Sequence, residues 1–156
     1  MNQKSFTVDE IKKKLEYYCA YQDRCHQEVE KRLRDFRLIP EAKEMILIHL
    51  IQNDFLNETR FAQSFTRGKF RIKKWGRKRI IQELKQRDIT SYNIKLALKE
   101  IDEEEYYKTL EQTAQHKFSQ LKDSNLFLKK QKLYQHLYRR GFESNLIQEV
   151  VNKIMK

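Results

Sequence analysis

Between Arg67 and Arg87 the chain carries ten lysines and arginines against the single acid Glu83. Guanidinium and ammonium groups at this density have one main chemistry: they neutralise anionic oxygens, on nucleic-acid phosphates or on an acidic protein face. Arginine brings a planar fork that matches a carboxylate or phosphate, and lysine a mobile point charge. If one helix spans them, Arg60, Arg67, Arg71 and Lys74 fall in a narrow stripe, with Lys73 beside it. Arg77, Lys78 and Lys85 follow on the next helix. Arg139 and Arg140, next to Tyr138, form a second candidate patch. Arg79 and Arg87 are each expected to pair with Glu83 one helical turn away.

The charge is localised. Residues Met1–Asp54 hold ten basic and ten acidic groups, Phe55–Ile101 thirteen against four, and Asp102–Lys156 ten against eight. Nine of the eleven net positive charges therefore lie in the middle third. A face that is merely solvated mixes signs more evenly.

No other group of residues has the pattern of a reactive site. Cys19 and Cys25 lack the Cys-x-x-Cys spacing of a metal or redox site and are expected to be reduced thiols of a cytoplasmic protein. His26, His49, His116 and His136 contain no His-x-x-x-His pair, so no metal is expected. The run Asp102-Glu103-Glu104-Glu105 fits the start of a helix, where negative charge is favourable. There is no glycine-rich phosphate loop and no nucleophile elbow, so neither an enzyme nor a cofactor is expected. The longest apolar run, Met45-Ile46-Leu47-Ile48, is far short of the roughly 20 residues of a membrane-spanning helix. Met1–Ser5 has no apolar core behind it, which argues against a secretory signal.

The elements that must position the cations are helices. Charged residues make up 35% of the chain and hydrophobic ones 39%, with only three glycines and one proline, too few for many tight turns. The apolar pattern recurs three times. Val29, Leu33 and Leu38 align with Ile80, Leu84 and Ile89, then with Leu133, Leu137 and Phe142, at offsets of 51 and 53 residues. A second pattern follows each: Ile46-Leu47 and Leu50, Ala97-Leu98 and Ile101, Val150-Val151 and Ile154. With an earlier helix in every unit, the expected fold is all-α: three tandem three-helix repeats, residues 7–53, 54–101 and 102–156, stacked into an elongated, curved body.

Local signals mark the helix ends. Thr7-Val8-Asp9-Glu10 is a capping box, with Phe6 and Ile11 as its hydrophobic staple. The first helix of the second repeat is expected from about Asn57 and that of the third from about Glu103. Pro40 suits a first turn, Thr90 an N-cap, and Gly141 the stop before Phe142. Phe61, Phe65 and Ile72 are expected on the core face of the fourth helix, with Gly68 allowing a neighbouring helix to approach. Ile80, Ile81 and Leu84 are expected to be buried by the fifth.

Arg60-Phe61-Ala62-x-x-Phe65, Gly76-x-x-Arg79-Ile80 and Glu83-Leu84 with Ile89 together resemble the RecX family, bacterial regulators of the recombinase RecA. The resemblance extends more weakly through the triplicated helix pattern. It implies a crescent of three-helix repeats lying in the groove of the RecA–DNA filament and contacting several RecA protomers. There it would suppress ATP hydrolysis and strand exchange, hinder coprotease action and favour disassembly, modulating recombinational repair and the SOS response. The expected partners are the RecA filament and single- or double-stranded DNA, bound directly or within the filament. The expected protein is a cytoplasmic monomer without a cofactor or a membrane. The alternative is a general nucleic-acid-binding helical protein with no dedicated RecA partner, for which charge alone is the warrant. Three departures stand out: Cys25 replaces the usual serine cap, Asp88 a usual glycine, and Trp75 a frequent tyrosine.

Overall fold

The computed structural model of the chain describes residues 5–156. Among these it contains nine α-helices and no strand: α1 (Val8–Tyr21), α2 (His26–Leu33), α3 (Pro40–Gln52), α4 (Glu58–Arg71), α5 (Arg77–Gln86), α6 (Ser91–Leu98), α7 (Glu103–Gln120), α8 (Leu126–Arg139) and α9 (Ser144–Ile154). The starts follow the capping chemistry. Thr7 and Glu10 exchange both bonds of a capping box at 3.1 Å. Asn57, Thr90 and Asp102 each cap the amide three residues on. Pro40 occupies the first turn of α3. At Cys25, Glu28 accepts the cap amide at 3.1 Å, so this half of the box survives the loss of serine.

The periodic residues form two cores. Ile11, Leu15, Cys19, Val29, Leu33, Ile46, Leu50 and Leu56 make one within α1–α3 and the turn after them. The larger runs without a break from α4 to α9 and includes Ile80, Leu84, Tyr106, Leu133, Leu137 and Phe142, with Cys25 contributed from the N-terminus of α2. The accessible surface, 10682 Å², exceeds the roughly 8,400 Å² of a compact globule of this length, as an extended stack requires.

One docking relation recurs along the stack. The N-terminus of α5 meets the turn after α8: Gly76 donates its amide to the Arg140 carbonyl (2.7 Å) and Lys78 to that of Gly141 (2.9 Å). One repeat earlier, the start of α2 meets the turn after α5, where the Gln27 amide nitrogen donates to the Gln86 carbonyl (3.0 Å) and the Asp88 carboxylate (2.8 Å). Asp88 and Gly141 occupy the same place in their repeats, and both have positive φ, 58° and 97°. Aspartate tolerates the left-handed region better than most residues, and here its carboxylate also binds Gln27.

Several expectations for α4 are corrected. The helix ends at Arg71; Ile72 is 78% exposed instead of buried, and the core positions near this end are Thr66 and Phe70. Phe65 and Ile81 are only half-buried. No neighbour approaches Gly68: a Cβ there would meet nothing within 4 Å. The physical reason is the helix stop. The Lys74 amide reaches back to Phe70 and that of Trp75 to Lys69, both at 3.1 Å, with Lys74 left-handed at φ 58°. This reversal ends α4 and turns the following residues away from its apolar face.

Candidate interaction surface

The same reversal breaks the expected stripe, because Lys74 stands outside α4. Arg60, Arg67 and Arg71 do lie on that helix, but they do different things. Arg60 is half-buried between repeats one and two: its Nε donates to Asp23 at 2.7 Å and its Nη atoms to the Asp54 carboxylate and carbonyl at 3.0 and 2.9 Å. The bond to Asp23 is the main reason its pKa rises above the ordinary guanidinium value. Arg67 joins Glu100, in the turn after α6, at 2.8 Å. Arg77 bridges Glu143 and Glu103 at 2.8 and 2.6 Å, with its guanidinium 3.8 Å from the centre of the Tyr106 ring. Burial disfavours the Arg77 cation, but the bonds to Glu143 and Glu103 outweigh it and its pKa is raised. These three arginines join parts of the stack to one another.

The other candidates are arranged differently. Arg71, Lys73, Lys74, Lys78, Lys85 and Arg139 are all exposed. Among the described residues none of the six is in an ion pair. The docking of α5 on the turn after α8 brings the two sequence patches together. Arg140 donates to the Lys73 carbonyl at 2.6 Å, and the Lys78 ammonium lies 5.5 Å from the centre of the Tyr138 ring. Lys78 and Lys85 line a shallow hollow of about 450 Å³ along α5, together with Ile81, Gln82 and Gln86. Lys73 and Lys78 of repeat two are thereby set beside Arg140 and Tyr138 of repeat three.

Three further cations behave in ways that helical spacing alone does not reveal. Arg79 does not pair with Glu83; its guanidinium lies 4.2 Å from the Trp75 ring centre, and Lys69 stands 5.0 Å from the same ring. Glu83 pairs with Arg87 at 3.0 Å, as their spacing predicts, and Arg87 also lies over Phe65 at 4.8 Å. Phe65 and Trp75 meet edge to face at 6.3 Å, so an aromatic pair holds these cations by the attraction of their ring faces. Aromatics preceding and following a helix stop are the signal in the sequence that marks such a cluster. Among the described residues there is no group of histidines, cysteines and acids able to hold a metal, and no helix long and apolar enough to cross a membrane.

Comparison with known proteins bears directly on this surface. Residues 57–98 match the model of the second three-helix domain of RecX, and residues 103–151 that of the third. The regulatory protein RecX of Thermotoga maritima is 30% identical over 152 residues, covering 93% of this chain and 86% of that protein. That of Lactobacillus johnsonii is 29% identical over 140 residues, covering 88% of this chain but 51% of that protein. The chain thus spans about half the length of several curated relatives it matches, those of Lactobacillus gasseri (51%) and Enterococcus faecalis (56%) included. The crystal structure of RecX from Lactobacillus salivarius superposes with a TM-score of 0.81 over 94% of this chain and 96% of that chain, at 22% identity, which speaks to the fold alone. With both of its cationic elements inside the two matched domains, the chain belongs to the RecX family of regulatory proteins.

Proposed function

We propose that this chain regulates the RecA recombinase by laying its cationic face on the RecA–DNA filament, inhibiting ATP hydrolysis, strand exchange and coprotease action. On this reading it tunes recombinational repair and the SOS response, acts in the cytoplasm as a monomer, and needs no cofactor. What supports the reading is that Arg71, Lys73, Lys74, Lys78, Lys85 and Arg139 are exposed and in no ion pair among the described residues, with Lys73 and Lys78 set beside Arg140 and Tyr138. Six unneutralised cations are unfavourable near one another unless an anionic surface meets them. Arg60, Arg67, Arg77 and Arg140 are instead engaged in bonds within the chain.

The test is the DNA-dependent ATPase of RecA. The chain should slow it at near-equal amounts, and Lys73→Glu/Lys74→Glu/Lys78→Glu should abolish the inhibition while helical content stays unchanged. Inhibition that survives the triple reversal would remove this face from the contact. The local excess of cations also fits a general nucleic-acid binder. Titration of bare DNA and of RecA-coated DNA across salt separates the two: equal affinities, both falling steeply with salt, would favour the general binder.

A further inference from the structure

Repeat one, neutral overall, carries a second surface of a different character. The helix α1 buries Ile11, Leu15 and Cys19. Its outer face presents Lys13, Tyr17 and Tyr21 at successive i, i+4 positions, with Lys14 and Tyr18 alongside. Tyr17 and Tyr21 are each 73% exposed, so core packing explains neither. Their ring centres lie 6.5 Å apart with planes inclined by 33°. Together with Tyr18, Arg24 and Arg32 they line a groove of about 550 Å³.

Two arginines form the far wall. Arg24 stacks over Tyr18 at 3.8 Å and donates to the Tyr18 carbonyl at 3.0 Å, while Arg32 lies 5.8 Å from the same ring. Both guanidiniums have acids close by, Glu28 at 3.8 Å and Asp35 at 2.9 Å. The uncompensated charge comes from the exposed Lys13 and Lys14, neither of them in an ion pair among the described residues; the Lys14 ammonium lies 4.5 Å from the Phe6 ring centre.

We infer that this groove binds single-stranded nucleic acid, with unpaired bases stacked on Tyr17 and Tyr21 and phosphates drawn to Lys13 and Lys14. Open aromatic faces beside cations are the means by which proteins hold single strands irrespective of sequence. The two rings stand one helical turn apart, their centres 6.5 Å from each other, within reach of neighbouring nucleotides of one flexible strand. A duplex keeps its base faces stacked inside and has nothing to offer the rings. An acidic peptide would use the lysines and leave the tyrosines idle, and a proline-rich one the reverse; a strand uses both. The groove lies outside residues 57–98 and 103–151, the segments that match RecX domains.

The experiment needs no recombinase, which separates its outcome from that of the proposed regulation. A fluorescent oligothymidylate of about 12 nucleotides and a duplex of equal length are titrated with the chain and followed by anisotropy. Tyr17→Ala/Tyr21→Ala is expected to weaken the strand by about tenfold or more while leaving the duplex unchanged. Circular dichroism should stay as in the parent, since both rings are exposed. Lys13→Glu/Lys14→Glu should weaken the strand and flatten its salt dependence. Equal losses for strand and duplex, or no loss on removing the tyrosines, would overturn the inference. So would abolition of strand binding by Lys73→Glu/Lys74→Glu/Lys78→Glu alone. If acidic or proline-rich peptides depend on the tyrosines and the strand does not, the groove is a peptide site and the inference fails.

Discussion

Gly76 and Gly141 meet backbone to backbone, and a Cβ on either has no room. At Gly76 it would run into the carbonyl of Gly141 and the amide of Phe142; at Gly141 it would strike the backbone and Cβ of Arg79. The contact lets the turn after α8 accept the Gly76 and Lys78 amides, while the Tyr106 hydroxyl accepts that of Arg77 at 3.0 Å. The amides of Gly76, Arg77 and Lys78 at the start of α5 are thus satisfied by the next repeat, where Gly76 offers no side-chain cap.

Gly76→Ala should therefore separate repeats two and three. We expect a loss of about 1–3 kcal/mol from overpacking, read as a lower urea midpoint. Gly141→Ala should cost at least as much, because its φ of 97° adds backbone strain to the collision. Amide exchange at Arg77 and Lys78 should rise in both variants.

Glu143 is a second tie at this junction, accepting from the Tyr106 hydroxyl and from Arg77. Burial, followed by that bond to Glu143, pushes the Tyr106 pKa well above the ordinary phenol value. Glu143→Ala leaves Arg77 with the exposed Glu103 and Tyr106 without its acceptor. The pair is partly open to water, so we expect about 1–3 kcal/mol of destabilisation. Tyr106→Phe, which keeps the ring against Phe70 and Phe142, should lose less.

Leu84 is fully buried and Ile72 is 78% exposed, though both are apolar residues of the middle repeat. Leu84→Ala should cost about 2–5 kcal/mol in chemical denaturation. Ile72→Ser should stay within about 0.5 kcal/mol of the parent. A large loss at Ile72 would mean that its side chain is covered.

The imidazole of His136 is held below its ordinary pKa of 6.5, first by burial and then by repulsion from Lys117, Arg140 and Arg139, with His116 adding a smaller push. The unfolded chain therefore takes up this proton at a higher pH than the folded one. The stability contribution is complete above the unfolded value and is lost as pH falls through it toward the folded value. Between about pH 7 and 5 the parent should lose more stability than His136→Gln, measured as urea midpoints across pH.

Much of the fold is legible in the chain because it depends on near neighbours. Thr7 with Glu10, Asn57 ahead of α4, Pro40 and Thr90 act over three or four residues, and the apolar stripes at the 51- and 53-residue offsets repeat the same local rule. The density of cations from Arg67 to Arg87 is likewise a property of the sequence. Their division into two kinds is not, since it depends on partners far along the chain. Arg60 meets Asp23, Arg67 meets Glu100, and Arg77 meets Glu143, each an acid beside a helix end that only packing brings to its arginine. The left-handed turn at Lys74 and the docking of α5 on Gly141 decided the rest, exposing Ile72 and bringing Arg140 and Tyr138 to Lys73 and Lys78. Periodicity says which face of each helix is apolar; where the opposite faces meet is settled by how one repeat seats its backbone on the next.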